Sequence, residues 1–314
     1  MRITNNMLIS NTLFNLNENL GRLEKLNQQM DTQKKFSVPS DDPIGASKSL
    51  KFYTDLSKIE QYKRNVKDAT SWMTETESAL IEIGEVLDRA DKLAVQMANG
   101  TYSEDDLKKT KEEVAQLKEH LVQISNTTYA GRYIFSGYKT DKELLCKDGK
   151  YKIDLSNTEV VEYNVGVSED IKVNTVGMRV FGVGAENATN PFDATEAETG
   201  DTSYLISVFT KFENALKDPA SNKGEIDATL GRIKTCMDQV LSVRAEVGAK
   251  MNRLKLTQKK LDSQVLSTKS LISYNEDIDL AEVSIKLKTE ENVYRASLAV
   301  GARIIQPSLV DFLR

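Results

Sequence analysis

The chain has little of the chemistry on which most enzymes and metal sites depend. Its 314 residues include one His, one Trp, two Cys and five Pro. His120 is therefore the single candidate for a His-based triad, and a His/Cys zinc site has too few ligands. Cys146 and Cys236 form no CxxC pair and no disulfide framework. We expect no catalytic residue, no cofactor and no metal.

Charge of one sign and long apolar runs are also missing. The 42 Lys and Arg nearly balance the 47 Asp and Glu, giving a net charge of −5. A protein that binds duplex nucleic acid usually has a basic excess, so we expect no nucleic-acid partner. No stretch approaches the ~20 apolar residues of a transmembrane helix, and the first residues lack the apolar region of a cleaved signal. We expect no membrane partner.

A heptad repeat dominates the second half of the chain. From Ile226 to Ile272, alternate steps of four and three residues reach fourteen positions, and eleven of these are apolar. A repeat of this length predicts a supercoiled helix over residues 226–274. The polar positions Arg244, Gln258 and Thr268 either set the register of packed helices or mark drift of the stripe. The predicted packing residues are Ile233, Met237, Val240, Met251, Leu254 and Leu261.

The first half has a matching pattern. The same steps run from Ala69 to Met97 and predict a helix over residues 44–97, followed by a second helix over residues 105–129. We interpret both stripes as buried packing surfaces of one helical trunk. Its predicted packing residues are Leu80, Ile83, Leu87, Leu117 and Leu121.

Both ends of the chain carry apolar stripes that have no obvious partner in a folded monomer. Exposed apolar stripes are typical of partner-binding surfaces, so we predict that these two assemble subunits. The N-terminal positions are Leu13, Leu16, Leu20, Leu23 and Met30. The C-terminal positions are Leu280, Val283, Leu287, Val293, Leu298 and Ile304.

Residues 138–201 differ in kind from the flanking helices. This segment carries 13 Asp and Glu against 7 Lys and Arg, so its charge of −6 exceeds the net acidity of the whole chain. Apolar–polar alternation between Gly and Asn predicts short strands. They are expected at Tyr151–Leu155, Val160–Val167, Ile171–Val176 and Val180–Val183.

The predicted fold is mainly α. It is an elongated antiparallel helical or coiled-coil trunk, built from N- and C-terminal halves, with a small β-rich central insert. The predicted segments are an assembly arm at 1–42, trunk at 43–137, insert at 138–201, trunk at 202–274 and a second assembly arm at 275–314.

Several short sequence elements stand in a specific order on both flanks of the insert. The N-terminal half has Ser40-Asp41-Asp42-Pro43, then Leu93 to Gly100, then Gly131 to Gly137. The C-terminal half has Asn275 to Val283, with Asp277 and Asp279, and the ending Ser308 to Leu313. In this order the elements resemble the flagellin superfamily. Asn275 departs from the pattern, since the superfamily often has Ile or Leu there.

The resemblance implies a structural subunit of the bacterial flagellum and no catalysis. Members leave the cell unfolded through the flagellar type III export apparatus, without a cleaved signal, and an export chaperone is implied. Their termini are disordered in the monomer and pair into coiled coils on assembly. The elements Gly131 to Gly137 and Ser308 to Leu313 favour the junction-forming members. Such a subunit self-associates into a ring between hook and filament, with a hook-associated protein on one side and flagellin on the other.

Two alternatives stay open at this point. A filament flagellin would share both terminal elements. An intracellular coiled-coil adaptor would explain the heptads, but it would explain neither Ser40-Asp41-Asp42-Pro43 nor the matching far end.

Overall fold

A computed structural model describes residues 5–99, 104–188, 190–217 and 223–305, and these residues are mainly helical. The predicted fold class, mainly α with a small β-containing central region, is confirmed. The helices are α1 (Asn5–Thr32), α2 (Pro43–Asn99), α3 (Glu104–Ser125), α4 (Met178–Phe181), α5 (Tyr204–Ala215), α6 (Lys223–Glu276) and α7 (Leu280–Ile305). The strands are β1 (Thr128–Tyr129), β2 (Arg132–Tyr133), β3 (Leu155–Ser156), β4 (Glu162–Gly166), β5 (Glu169–Lys172) and β6 (Glu196–Ala197).

The chain divides into two compact units. The first unit comprises the residues up to Ile59 and those from Ser263 onward, and the second comprises Glu60–Asp262. Both divisions fall inside long helices, α2 and α6. They do not coincide with the predicted segment boundaries at 42/43 and 274/275, which lie close to the loop between α1 and α2 and the loop between α6 and α7. The five-segment division stays a prediction.

In the second unit, α6 buries a stripe that shares only half of its positions with the predicted one. Ile233, Val240, Leu254 and Leu261 are at most 3% exposed. The stripe also contains four other buried residues, and each of them lies one residue before a predicted position: Thr229, Cys236, Val243 and Thr257. Met237 and Met251 are half-buried, while Arg244 and Gln258 are exposed. The predicted stripe steps by four and then three residues, and the observed stripe steps by three and then four. The sequence fits both patterns because both repeat every seven residues.

The helices α2 and α3 bury most of their predicted packing residues. Leu80, Ile83, Leu87 and Leu121 are at most 1% exposed, and Leu117 is half-buried. The predicted end of the second helix at residue 129 is wrong. Helix α3 ends at Ser125, because Thr128–Tyr129 turns back to pair with Arg132–Tyr133.

Cys236 of α6 is a buried apolar residue in this core. It is 1% exposed, and burial raises the pKa of its thiol to about 12. A thiol in this state is not a nucleophile at neutral pH.

The central region consists of two-residue to five-residue strands paired two by two. The pairs are β1 with β2, β3 with β6 and β4 with β5, all antiparallel. The strands β4 and β5 lie within or overlap the predicted runs Val160–Val167 and Ile171–Val176.

Two of the predicted strands are wrong in most of their length. Of the run Tyr151–Leu155, only Leu155 enters a strand, while Tyr151 makes an isolated bridge to Leu145. In the run Val180–Val183, the first two residues belong to the helical turn α4, where both are buried. Apolar spacing in so short a run fits a turn or a loop as well as a strand.

Helix α5 does not appear among the predicted helices. It packs against α3, and its apolar residues Leu205, Val208, Phe209 and Phe212 are at most 1% exposed. Its 12 residues carry an amphipathic helical pattern and fall within the predicted trunk segment 202–274, in which the predicted heptad repeat begins only at Ile226. No helix among the described residues is long and apolar enough to cross a membrane.

Candidate functional site: the assembly surface of the terminal helices

The Ser40-Asp41-Asp42-Pro43 element begins helix α2. Oδ1 of Asp42 accepts hydrogen bonds from the backbone N–H of Ile44 (3.1 Å) and of Gly45 (2.9 Å). Pro43 follows as the first helical residue, where its missing N–H costs nothing. Asp42, rather than Ser40, is therefore the N-cap, and it satisfies two donors that the helix itself leaves unpaired.

Asp41 holds the loop before α2 in place. Its carboxylate accepts long hydrogen bonds from the backbone N–H of Ser37 (3.4 Å) and Val38 (3.5 Å). Nζ of Lys25, on α1, lies 3.3 Å from Oδ1 of Asp41. These backbone and lysine hydrogen bonds lower the pKa of Asp41 below its ordinary value.

The two acids of the C-terminal element shape the corner between α6 and α7. Oδ1 of Asp279 accepts from the backbone N–H of Ala281 (2.9 Å) and Glu282 (3.3 Å), so Asp279 caps α7. Asp277 lies opposite Lys34 in an antiparallel bridge, which joins this corner to the loop that follows α1.

A cluster of polar side chains fixes the same corner, and we call it the Glu276 cluster: Lys34, Ser49, Tyr53, Asn275 and Glu276. Nζ of Lys34 donates to the Glu276 carboxylate, and the Tyr53 hydroxyl donates to the same oxygen at 3.0 Å. Nδ2 of Asn275 donates to Ser49 Oγ at 2.6 Å and also reaches the first turn of α2. These bonds join residues that lie more than 220 positions apart in sequence.

Glu276 is ionised at neutral pH although it is only 4% exposed. Burial raises the pKa of Glu276, but hydrogen bonds from Lys34, Ser49 and Tyr53 outweigh burial, and the pKa lies below its ordinary value. The hydrogen bond to Glu276 raises the pKa of Lys34. The pair is therefore charged, and neutral donors help to hold the carboxylate in one geometry.

Helices α1 and α7 pack against each other through several polar pairs. Nδ2 of Asn19 donates to Ser297 Oγ at 3.0 Å, and Asn19 is 7% exposed. Nε of Arg22 lies 3.6 Å from Oε1 of Glu290. Such pairs set the register of two helices, but they bury little apolar surface.

Many large apolar side chains of this unit face outward instead. Of the 22 large hydrophobic side chains that are exposed in the described residues, 17 belong to the first unit. Ten of them lie on α1 and α7, and we call this set the outer face: Met7, Leu8, Leu13, Phe14, Leu20, Leu280, Ile285, Val293, Leu298 and Val300. Phe14 is 65% exposed and Ile285 is 68% exposed. We interpret this concentration as a candidate assembly surface.

The predicted assembly residues divide between the two sides of the helix pair. On α1, Leu16, Leu23 and Met30 are half-buried, while Leu13 and Leu20 belong to the outer face. On α7 the division is similar. Val283 is buried and Leu287 half-buried, whereas Leu280, Val293 and Leu298 belong to the outer face. The side chain of Ile304 lies outside the described part of α7.

The sequence did not indicate the Glu276 cluster. Each member is of a type that is ordinary on a protein surface, and the cluster forms only when distant segments meet. One signal was present, because Asn275 stands where the resemblance favours an apolar residue. The structure shows its role, since an Ile or Leu side chain could not donate to Ser49.

Two family models match this chain. The bacterial flagellin N-terminal helical region matches residues 3–140, and the bacterial flagellin C-terminal helical region matches residues 230–313. The unmatched residues between them contain most of the β-rich insert.

Relatives with established names are similar over most of the chain. Flagellar hook-associated protein 3 of Escherichia coli is 28% identical and covers 81% of each chain. Flagellar hook-associated protein 3 of Salmonella typhimurium is 26% identical and covers 95% of each. A flagellin of Bacillus subtilis is 28% identical and covers 98% of this chain and 97% of its own.

Solved structures share the fold. FlgL of Bacillus cereus superposes with a TM-score of 0.57 at 23% identity, covering 71% of this chain and 99% of that one. The flagellar junction protein FlgL of Legionella pneumophila gives a TM-score of 0.58 at 18% identity, covering 73% of this chain and 99% of that one.

Proposed function

We propose that this chain, which belongs to the bacterial flagellin superfamily, is the structural subunit that forms the junction ring between the hook and the filament. The superfamily consists of structural proteins of the flagellum and not of enzymes. Two relatives that cover at least 81% of the chain are named flagellar hook-associated protein 3. The flagellin of Bacillus subtilis is equally identical, so a filament flagellin is the second candidate.

The element Gly131 to Gly137, which favours the junction function, has a defined structure. Ala130 (φ 50°) and Gly131 (φ 77°) form the turn between β1 and β2. Positive φ at both central positions is the geometry that suits a tight hairpin. Ile134 and Phe135 then enter the core, at 1% and 0% exposure. The element closes the N-terminal half of the second unit before the insert begins.

The outer face carries the proposal. In a single chain, α1 and α7 pack through polar pairs and inner apolar residues, and they leave ten large apolar side chains exposed. Neighbouring subunits in a ring would cover them. Each fully buried Leu or Phe contributes roughly 1.5–3 kcal/mol, so burying even part of this set would stabilise the ring strongly.

Partners follow from the same proposal. The subunit self-associates into a ring. This ring contacts a hook-associated protein on the hook side and seats the first flagellin subunits on the filament side. The chain would travel unfolded through the flagellar type III export apparatus, with an export chaperone, and its terminal arms would be disordered until assembly. The ten large apolar side chains that α1 and α7 leave exposed support this order of events, because neighbouring subunits would bury them only on assembly.

A double substitution on the outer face tests the proposal. Leu13→Asp with Leu20→Asp alters side chains that are 47% and 42% exposed, so the fold of the free chain should survive. In the bacterium that makes this protein, the variant should restore neither motility nor filament growth to a strain that lacks it, and flagellin should be shed into the medium. Val167→Asp, at a position 84% exposed in the second unit, is the matched control. Normal filaments with the double variant would refute the proposal.

A further inference from the structure

Several exposed cations of helix α6 have no ion-pair partner among the described residues. Three of them lie on one side of the helix, and we call these the α6 basic face: Arg244, Lys255 and Lys259. At 100° per residue, the three fall within about 60° of each other around the helix, and Arg244 lies beside the buried stripe, about 60° from Val247. Other lysines of the same stretch are paired, since Lys250 lies 2.8 Å from Glu246 and Lys260 lies 3.6 Å from Glu169. The basic face is therefore a local surplus of positive charge.

Two large apolar side chains lie on the same side of the helix. Leu241 is 56% exposed and Leu256 is 67% exposed, although both belong to a helix that buries its other side. Apolar side chains flanked by cations are typical of an interface core with a charged rim.

Helix α2 has an exposed face of opposite sign in the same unit. Asp68, Glu82 and Glu85 are exposed and Glu75 is half-buried, and none of the four has an ion-pair partner among the described residues. We call these four the α2 acidic face. Asp68, Glu75 and Glu82 follow each other at intervals of seven residues, which lines them up along the helix. Ile81, which is half-buried, lies one helical turn before Glu85 and offers an apolar contact beside the acids.

We propose that the α6 basic face of one subunit docks on the α2 acidic face of a second copy of this chain. The α6 cations span about 22 Å of helix and the α2 acids about 26 Å, so the lengths match. The two faces are complementary to each other and not to themselves. Such an interface is head-to-tail and continues from subunit to subunit, as a ring requires, whereas a self-complementary interface closes at a dimer.

This inference rests on the proposed self-association and adds to it a second contact, away from the terminal helices. The outer face supplies apolar burial, while the charged faces set which neighbour is chosen and how subunits are aligned. Charge complementarity acts mainly on specificity and on the rate of encounter, so the contact should weaken with salt.

A charge-swap experiment on the full chain tests the pairing. The first variant carries Lys255→Glu with Lys259→Glu, and the second carries Glu82→Lys with Glu85→Lys. Each alone should self-associate about tenfold more weakly in sedimentation velocity at low salt. A chain with all four substitutions, or an equimolar mixture of the two variants, should recover association, because opposite charges then meet again. Circular dichroism should report unchanged helix in every variant.

The outcomes separate the two proposals. If the wild type associates and neither variant is weakened, or if the swap gives no recovery, the paired faces are wrong while the ring stands. If the α6 variant associates more weakly and the combined substitutions do not restore association, the α2 acidic face is not the partner. The basic face would then pair with other acidic residues of the neighbouring copy. If the wild type is monomeric at every concentration, the paired faces are overturned, while the ring, whose subunits assemble at the flagellum, is decided by the motility test of Leu13→Asp with Leu20→Asp. Leu13→Asp with Leu20→Asp provides the comparison, since it should weaken association at every salt concentration.

Discussion

The Tyr53 hydroxyl donates a 3.0 Å hydrogen bond to the Glu276 carboxylate, although 223 residues separate the two in sequence. Lys34 donates to the same oxygen. The corner between α6 and α7 is thereby tied to α2 and to the loop after α1. The N-terminal and C-terminal segments of the first unit thus meet at the buried carboxylate of Glu276.

Glu276→Ala should destabilise the first unit by about 1.5–3 kcal/mol, the usual contribution of hydrogen bonds to a charged group. Lys34 is partly exposed and can be hydrated after the loss, which keeps the effect within that range. Hydrogen–deuterium exchange of the full chain should show faster exchange in α1 and α7 and unchanged exchange in α3 and α5. Glu24→Ala, an exposed acid on α1, should change neither. Uniformly faster exchange would contradict a local role for Glu276.

Asp42→Ala should cost about 1 kcal/mol, because the N–H groups of Ile44 and Gly45 lose their acceptor at the start of α2. Urea unfolding monitored by circular dichroism measures this. Ser40→Ala, two residues away, should have no measurable effect, since Asp42 is the cap. Equal losses in the two variants would mean that the cap is assigned to the wrong residue.

Two glycine substitutions should act in opposite directions. A Cβ at Gly45 would overlap Asp42 and lie 2.8 Å from Cε1 of Phe36, so Gly45→Ala should destabilise by about 1–3 kcal/mol. A Cβ at Gly21 would meet no atom within 4 Å, so Gly21→Ala should stabilise α1 by about 0.5–1 kcal/mol. Thermal unfolding of both variants decides the matter. Stabilisation by Gly45→Ala would show that the close packing around it is wrong.

The sequence predicted the buried stripe of α2 more fully than that of α6. In α6, the larger residues Met237 and Met251 determined the predicted register, but the helix buries Cys236 and Val243 more completely. A stripe that steps by four and then three residues shares every seventh position with one that steps by three and then four. Side-chain size alone therefore cannot choose between the two registers. The Glu276 cluster could not be found from sequence, because its contacts depend on how segments 242 residues apart come together.

Glu246 gives the second unit a defined acid sensitivity. Burial alone would raise its pKa, but hydrogen bonds from Arg179 (2.8 Å) and Lys250 outweigh burial and lower the pKa to about 2. Because the folded-state pKa lies below the ordinary 4.5, the contribution to stability is complete above that pH and is lost as the pH falls towards 2. The stability difference between wild type and Glu246→Gln should therefore shrink on acidification. A constant difference for Glu246→Gln across this pH range would contradict the pairing.

The most direct test of the account is immunogold electron microscopy of intact flagella, with an antibody against residues 138–201. The proposed function predicts a single band of label between hook and filament. Label along the whole filament would make the protein a filament flagellin and would contradict the junction assignment. Absence of label from the flagellum, with the protein retained in the cytosol, would contradict the assembly account as a whole.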